Sequence, residues 1–438
     1  MQFELINAYD SHTHFWATGQ VAEGLQLHSL TQPEDVSDLQ IKPQHQRGSW
    51  IVGFGWNQNN WPQAQFPNKA TLDKVFKNQP VFFSRIDGHA SWINSAAIEE
   101  FKKMGYDFSK DPQGGVIQRS SNREPTGLLF DQAHINALVM LPNFSDQQNF
   151  HFFETSQKIF NKAGFTHVRD MSMNPYFWNI LRQMEDQKKL TVAIDSLMTI
   201  EILEQLDNAL VEIKKMQSDK SEQLKLSGVK IFIDGSLGSK TAYLSENYLN
   251  TDQRGLLIWS YDDIRSLIQR SWQAGQQVAI HTIGDAAVET AVKAAREVSA
   301  SGVLGRLHLE HVQLMSAQTV QIMKPLHVTC HLQPCHWLSD NPWVKEVLPQ
   351  KLIKNLFQWQ LLKKNKIPFY FGSDSPIERT SLFDNLKALQ QSAEWGVPAL
   401  TGTWQEHHQY PDANWCTSKT IFENNQVKQV FFKGNALF

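Results

Sequence analysis

Asp10-Ser11-His12-Thr13-His14 places two imidazoles two residues apart. On a β-strand, where side chains alternate between faces, that spacing turns both rings to one side, so two nitrogens converge on one ion. A lone His-x-His is more often a pair of ordinary strand histidines, and the company decides. His281, in Val-Ala-Ile-His-Thr-Ile-Gly-Asp, ends an apolar run just before a helical stretch, and His311, in Leu-His-Leu-Glu-His-Val, ends the next run. Asp374, in Phe-Tyr-Phe-Gly-Ser-Asp-Ser-Pro, holds the same place on the last run. Singly these read as core histidines and a helix cap; together they form a set of imidazoles and a carboxylate suited to Zn, Fe, Mn or Ni. Lys230 is the most diagnostic residue, because the alternation of Val229-Lys230-Ile231-Phe232-Ile233-Asp234 points Lys230, Phe232 and Asp234 to one face, taken as an interior. A bare ammonium is expensive there. Carboxylation by carbon dioxide would make it an anionic carbamate able to bridge two cations about 3.5–4 Å apart. The bland alternative is an interior lysine paired with Asp234.

Such a constellation needs strands whose ends gather in one place. Short β-rich runs at residues 5–11, 165–170, 191–197, 229–233, 278–281, 306–311, 328–332 and 369–373 are eight in number. They alternate with helical periodicity at 150–163, 176–188, 200–216, 262–273, 286–298, 317–324, 350–364 and 382–395. The alternation predicts an α/β fold, a (β/α)8 TIM-type barrel whose catalytic groups collect at the C-terminal strand ends. Residues 8–390 are expected to form it, with a large insertion at about 19–144 that has strand-like runs at 50–55 and 81–86 and would serve as a lid or substrate wall. Residues 1–7 and 410–438 are expected to make a reduced β-sandwich, with a hairpin turning at Glu423-Asn424-Asn425.

The ordered set His12/His14, Lys230, His281, His311 and Asp374 resembles the amidohydrolase superfamily, and more closely its YtcJ-like branch, the amidohydrolase family 3 group that includes N-substituted formamide deformylases. Supporting segments are Gly-Trp-Asn at 55–57, Asp-Gly-His-Ala-Ser-Trp-Ile-Asn-Ser-Ala-Ala at 87–97, Val-Lys-Ile-Phe-Ile-Asp-Gly-Ser-Leu-Gly-Ser-Lys-Thr-Ala at 229–242, Glu-His-Val-Gln at 310–313, Gln-Pro-Cys-His at 333–336 and Gly-Ser-Asp-Ser-Pro-Ile-Glu at 372–378. The resemblance implies one or two divalent ions, zinc first. His12 and His14 would hold one and His281 and His311 the other, with carboxylated Lys230 as the bridge and Asp374 as both ligand and general base. It also implies hydrolysis of a non-peptide C–N bond, in an amide, N-formyl or N-acyl compound, by metal-activated hydroxide. An ester or lactone hydrolase using the same site is an alternative. So is a regulatory metal-binding protein without turnover, since some sequences of this kind are described as regulators of exoenzyme production. Further catalytic candidates are His89 and His336, each at even odds with a structural role; Trp56, Asp234, Gly235 and Ser236 are candidates for substrate contact.

Composition narrows the partners. Lysine plus arginine number 41 against 44 acidic residues, a net charge of -3, which provides no footprint for nucleic acid or an anionic membrane. The expected partner is a small amide, with a homodimer left open. The three cysteines, Cys330, Cys335 and Cys416, lack disulfide or zinc-ribbon spacing and read as reduced thiols, which with no signal-like start predicts a cytoplasmic protein. Gly235-Ser-Leu-Gly-Ser-Lys-Thr241 departs from a phosphate loop in both lysine context and glycine spacing.

Overall fold

The computed structural model describes residues 2–86, 88–392 and 404–438. The chain divides into two compact units, Met1–Gly19 with Phe153–Phe438, and Gln20–Phe152. The first is built on eight parallel strands: β1 (Tyr9–Thr13), β2 (His167–Met173), β3 (Ala193–Thr199), β4 (Leu224–Phe232), β5 (Gln277–Thr282), β6 (Leu307–His311), β7 (Val328–Leu332) and β8 (Phe369–Phe371). They pair in sequence order from β1 to β8. The segment after β8 then returns to β1. Asp374 N–H donates to the His12 carbonyl at 2.8 Å, and His14 N–H donates to the Ser375 carbonyl at 2.9 Å. Gly372 permits that seam, since a Cβ there would lie 2.4 Å from the His12 backbone nitrogen.

Helices start where side chains satisfy their first N–H groups. Asn174 caps Pro175–Asp186, with proline in the first turn, and Ser260 caps Tyr261–Gln273. Their apolar faces, such as Ile264, Leu267 and Ile268, are buried.

Two sequence expectations change. The run 5–11 is not one strand: Gln2–Ile6 pairs antiparallel with Ser418–Glu423, and β1 starts only at Tyr9. Between them Asn7 adopts φ 49° while its side chain accepts from the Ser418 N–H and donates to the Ala413 carbonyl, contacts no local pattern encodes. The single helix expected over 350–364 is broken into Gln350–Ile353 and Trp359–Lys364. Phe357, at φ 47°, lies between them and donates its N–H to the Gln313 carbonyl, fastening the chain behind the end of β6. The helix expected over 382–395 is present as Leu382–Gln391, and residues 393–395 lie outside the described residues.

The terminal β-element is a four-stranded antiparallel sheet of Gln2–Ile6, Ser418–Glu423, Gln426–Phe432 and Asn435–Ala436. Its hairpin turns on Asn424 and Asn425, both at positive φ, as a tight two-residue connection requires. The second unit, Gln20–Phe152, is a seven-stranded mixed sheet whose longest strand is Trp50–Trp56 or its equal in length, Pro125–Asp131, with helices Lys69–Phe76, Ser95–Lys103 and Gln132–Leu138. Alternation along Trp50–Trp56 sends Ile51 into one apolar layer and Trp50 into the other. No helix among the described residues is long and apolar enough to cross a membrane.

Candidate metal centre

Strand register assembles the barrel interior in rows. Phe232, His281, Glu310, His331 and Tyr370 pair in succession across β4 to β8, and side chains level in a parallel ladder share a face. Glu310 therefore points inward, and regular alternation would send His311 the other way. His311 instead adopts φ 72°, which ends the strand and brings its ring within 4.5 Å of His281 and 4.7 Å of His12, between centroids. Asp374 is likewise left-handed, at φ 59°. Two non-glycine residues held in this costly region mark a place where the surrounding structure dictates conformation.

Asp374 is the meeting point. Its Oδ1 lies 3.3 Å from both His12 Nε2 and His14 Nε2, and its Oδ2 lies 3.4 Å from His336 Nε2. His12, His14 and Asp374 form one group able to hold a cation, and His311, His336 and Asp374 a second. Burial alone would raise the Asp374 pKa; the imidazoles of His12, His14 and His336 outweigh it and hold the carboxyl well below its usual range.

Hydrogen bonds on the far side of each ring fix which nitrogen faces the centre. His12 Nδ1–H donates to Glu310 Oε2 at 2.6 Å, and His311 Nδ1–H donates to Gln333 Oε1 at 2.8 Å, so Nε2 of each carries the inward lone pair. His14 Nδ1 is 2.9 Å from Ser172 Oγ. In His281 the polarity is reversed: Nε2–H donates to the Gly235 carbonyl at 3.3 Å and leaves Nδ1 buried without a hydrogen-bond partner. His12 Nε2, Lys230 Nζ and Asp374 Oδ1 are also buried and unsatisfied. Buried polar atoms of this kind are rare unless an ion or water belongs among them, so the residues present fit a divalent metal.

His336 stands apart from the other rings. Gln313 Nε2 lies 3.1 Å from Asp340 Oδ2 and 3.2 Å from His336 Nδ1. A carboxylate only accepts, so the amide nitrogen must face it, and His336 Nδ1 must then accept from the same amide. The same pairing puts the proton of the His336 ring on Nε2, which is buried 3.4 Å from Asp374 Oδ2 without a hydrogen-bond partner. By distance His336 belongs with His311 and Asp374; by tautomer it is a donor rather than a ligand.

Lys230 is fully buried, with Nζ 4.3 Å from the Phe232 ring centre, and it does not pair with Asp234. Burial pulls its pKa down to about 8. Asp234 accepts N–H groups from Tyr243, Ile283 and Gly284, so its carboxylate shapes the loops after β4 and β5. Those backbone groups are what its oxygens accept from, and Asp234 is buried. The Gly235 carbonyl orients His281, and exposed Ser236 bonds to Ser239.

In the second unit, Trp56 is fully buried, its Nε1–H donates to the Phe83 carbonyl, and its ring packs among Trp61 and Trp92. It belongs to that unit's core. His89 pairs with Asp131 at 3.1 Å, and both side chains are exposed. Sequence reasoning gave no role to Glu310, Arg169, Gln313, Gln333, Ser172 or Asp340. Glu310, Gln313 and Gln333 do lie within the short segments singled out above, beside His311 and His336, which is the signal that marks them.

Comparison with known proteins agrees with this geometry. The model of the Amidohydrolase family matches residues 9–397. The putative amidohydrolase YtcJ of Bacillus subtilis is 30% identical over 383 residues, covering 84% of this chain and 69% of its own. N-substituted formamide deformylase of Arthrobacter pascens is 22% identical over 302 residues, covering 66% of this chain and 54% of its own. Among solved structures, an uncharacterized metal-dependent hydrolase from Pyrococcus furiosus superposes with a TM-score of 0.72 at 25% identity, covering 89% of this chain and 77% of its own. With matched residues running from β1 past β8 and taking in every histidine and carboxylate of the centre, the chain belongs to the amidohydrolase family.

Proposed function

We propose that the barrel unit hydrolyses a carbon–nitrogen bond other than a peptide bond, in an amide, N-formyl or N-acyl compound, using one or two divalent ions, zinc first. The observation that carries this reading is Asp374, a carboxylate shared between the His12/His14 pair and His336. An ion bound there supplies an acidified water and polarises the carbonyl under attack. Asp374, kept ionised by the imidazoles around it, takes the proton of the attacking water and delivers it to the departing nitrogen, a transfer its place between the histidines suits. His336, with its proton on Nε2, donates to the oxygen that gains negative charge.

Lys230 completes the site as a carbamate. A pKa near 8 leaves roughly 300-fold more neutral amine at pH 7 than an ordinary lysine has. The neutral Nζ attacks the carbon of carbon dioxide; an N–C bond forms as one C=O π bond breaks onto oxygen, and the proton lost from nitrogen passes to water, so that a carbamate anion stands where a buried ammonium would. The relative named as a formamide deformylase makes N-formyl compounds the first substrates to try.

The test is metal content by elemental analysis, with bicarbonate present, beside turnover of N-formyl, N-acyl and ester substrates. Wild type should hold one or two ions per chain and release amine. Lys230→Ala should lose metal and turnover together. His336→Ala should keep its metal and lose about 10²–10³ in kcat. Metal loss in His336→Ala would make it a ligand, turnover of esters alone would overturn the C–N assignment, and metal-free wild type would overturn the hydrolase reading.

A further inference from the structure

The sheet of the second unit, Gln20–Phe152, has one face left partly open. Trp50 and Phe82 are covered on that face by Ile98, Phe101, Ala133 and Ala137, and Val52 continues the layer at its margin. Farther along the same strand the cover fails, and a cavity of about 310 Å³ opens over Val52 and Phe54, closed at the sides by Val21, Ile135 and Leu138. Val21, Phe54 and Ile135 are 39%, 41% and 42% exposed, three large apolar side chains around one space. Scattered exposed apolar residues need no explanation, but a concave cluster of this volume is the usual form of a small-molecule site.

Among the described residues, one guanidinium reaches this space. Arg47 lines the cavity, its guanidinium stacks over the Phe144 ring at 4.2 Å, and its Nε is buried with no hydrogen-bond partner among the described residues. Burial lowers its pKa, and no carboxylate among the described residues acts on it in the opposite direction. No aspartate or glutamate is among the described residues lining the cavity. A partly desolvated guanidinium with no ion-pair partner among the described residues, at the edge of an apolar hollow, is complementary to a ligand with one carboxylate and a hydrocarbon or aromatic body.

We propose that this cavity binds an amphipathic monocarboxylate, its carboxylate on Arg47 and its apolar body over Val21, Phe54 and Ile135. The site uses none of the metal-centre residues and stands whether or not the barrel unit is a hydrolase.

The test is calorimetric titration of the full chain, treated with chelator so that no metal captures the carboxylate, with octanoate and with 1-octanol as probes. Octanoate should bind at least tenfold tighter than octanol. Arg47→Met should erase that preference while keeping octanol binding, and Ile135→Trp, on the exposed side of a helix, should weaken both at least tenfold. Circular dichroism checks that each variant is folded. Absence of octanoate binding, a preference that survives in Arg47→Met, or binding indifferent to Ile135→Trp would each overturn the proposal. So would a concentration-dependent dimer that Ile135→Trp abolishes, since a second copy of the chain would then be the occupant.

Discussion

Glu310 holds two buried partners at once. Its Oε2 accepts from His12 Nδ1 at 2.6 Å and its Oε1 accepts from Arg169 Nη1 at 2.7 Å. Burial would raise its pKa, but Arg169, then His331 and His12, hold the carboxyl well below its usual range. An ionised acceptor makes His12 a more basic ligand and keeps its lone pair on Nε2. Such outer partners typically contribute 10–100-fold to metal affinity. Glu310→Gln preserves shape but not charge, and its apparent metal Kd should rise by about that factor in competition with a coloured chelator. An unchanged Kd in a folded variant would remove Glu310 from the centre. Glu310→Ala is the poorer probe, because it strands Arg169 as an unpaired buried charge at a cost of about 3–5 kcal/mol. None of this was legible in the sequence, where Glu310 is merely the neighbour of His311. Its partners come from strands 298 and 141 residues away. The histidines and Asp374 were legible because ligand chemistry restricts residue type at strand ends. The tautomers that separate His336 from the ligands were not, since they depend on amides and carboxylates brought together only by folding.

At the scale of elements, the barrel strands were legible because each is a short apolar run between helical patterns, and parallel strands buried on both faces read that way. The failures have local causes with distant origins, as Asn7 and Phe357 show: each takes a left-handed conformation for hydrogen bonds supplied by other elements. The seam between β8 and β1 tests how far the site depends on such closure. Gly372→Ala would set a Cβ 2.4 Å from the His12 nitrogen and 2.9 Å from its Cβ, against backbone that cannot swing away as a flexible side chain would. Overpacking of this kind costs about 1–3 kcal/mol. Because the clash falls on His12 itself, the variant should lose metal affinity as well as thermal stability. Differential scanning calorimetry with and without zinc reads both. A variant that loses stability but keeps its full zinc-induced rise in Tm would show that the seam supports the fold without setting the metal geometry.

Across the whole barrel unit, the two ends of the strands are given to different tasks. Metal candidates gather at the C-terminal ends, while at the opposite end a buried histidine fastens the C-terminal segment. His167, the first residue of β2, has Nε2 2.9 Å from the Trp415 carbonyl and stacks on Tyr410. Burial lowers His167 to about 4. A histidine whose folded pKa lies below its unfolded value of about 6.5 is neutral in the fold, so the unfolded chain binds the extra proton. Its contribution to stability is full above about pH 6.5 and is lost as pH falls through the folded pKa. For His167 alone that amounts to roughly 2–3 kcal/mol between pH 7 and pH 4.5. Urea unfolding of chelator-treated protein should therefore weaken steeply across this window with no metal to release. His167→Gln, which does not titrate there, should start less stable at pH 7 but lose roughly 2–3 kcal/mol less on acidification. Parallel pH dependences for the two proteins would place the acid sensitivity elsewhere, in the carboxylates and imidazoles of the catalytic end, and the division of tasks between the two ends would fail with it.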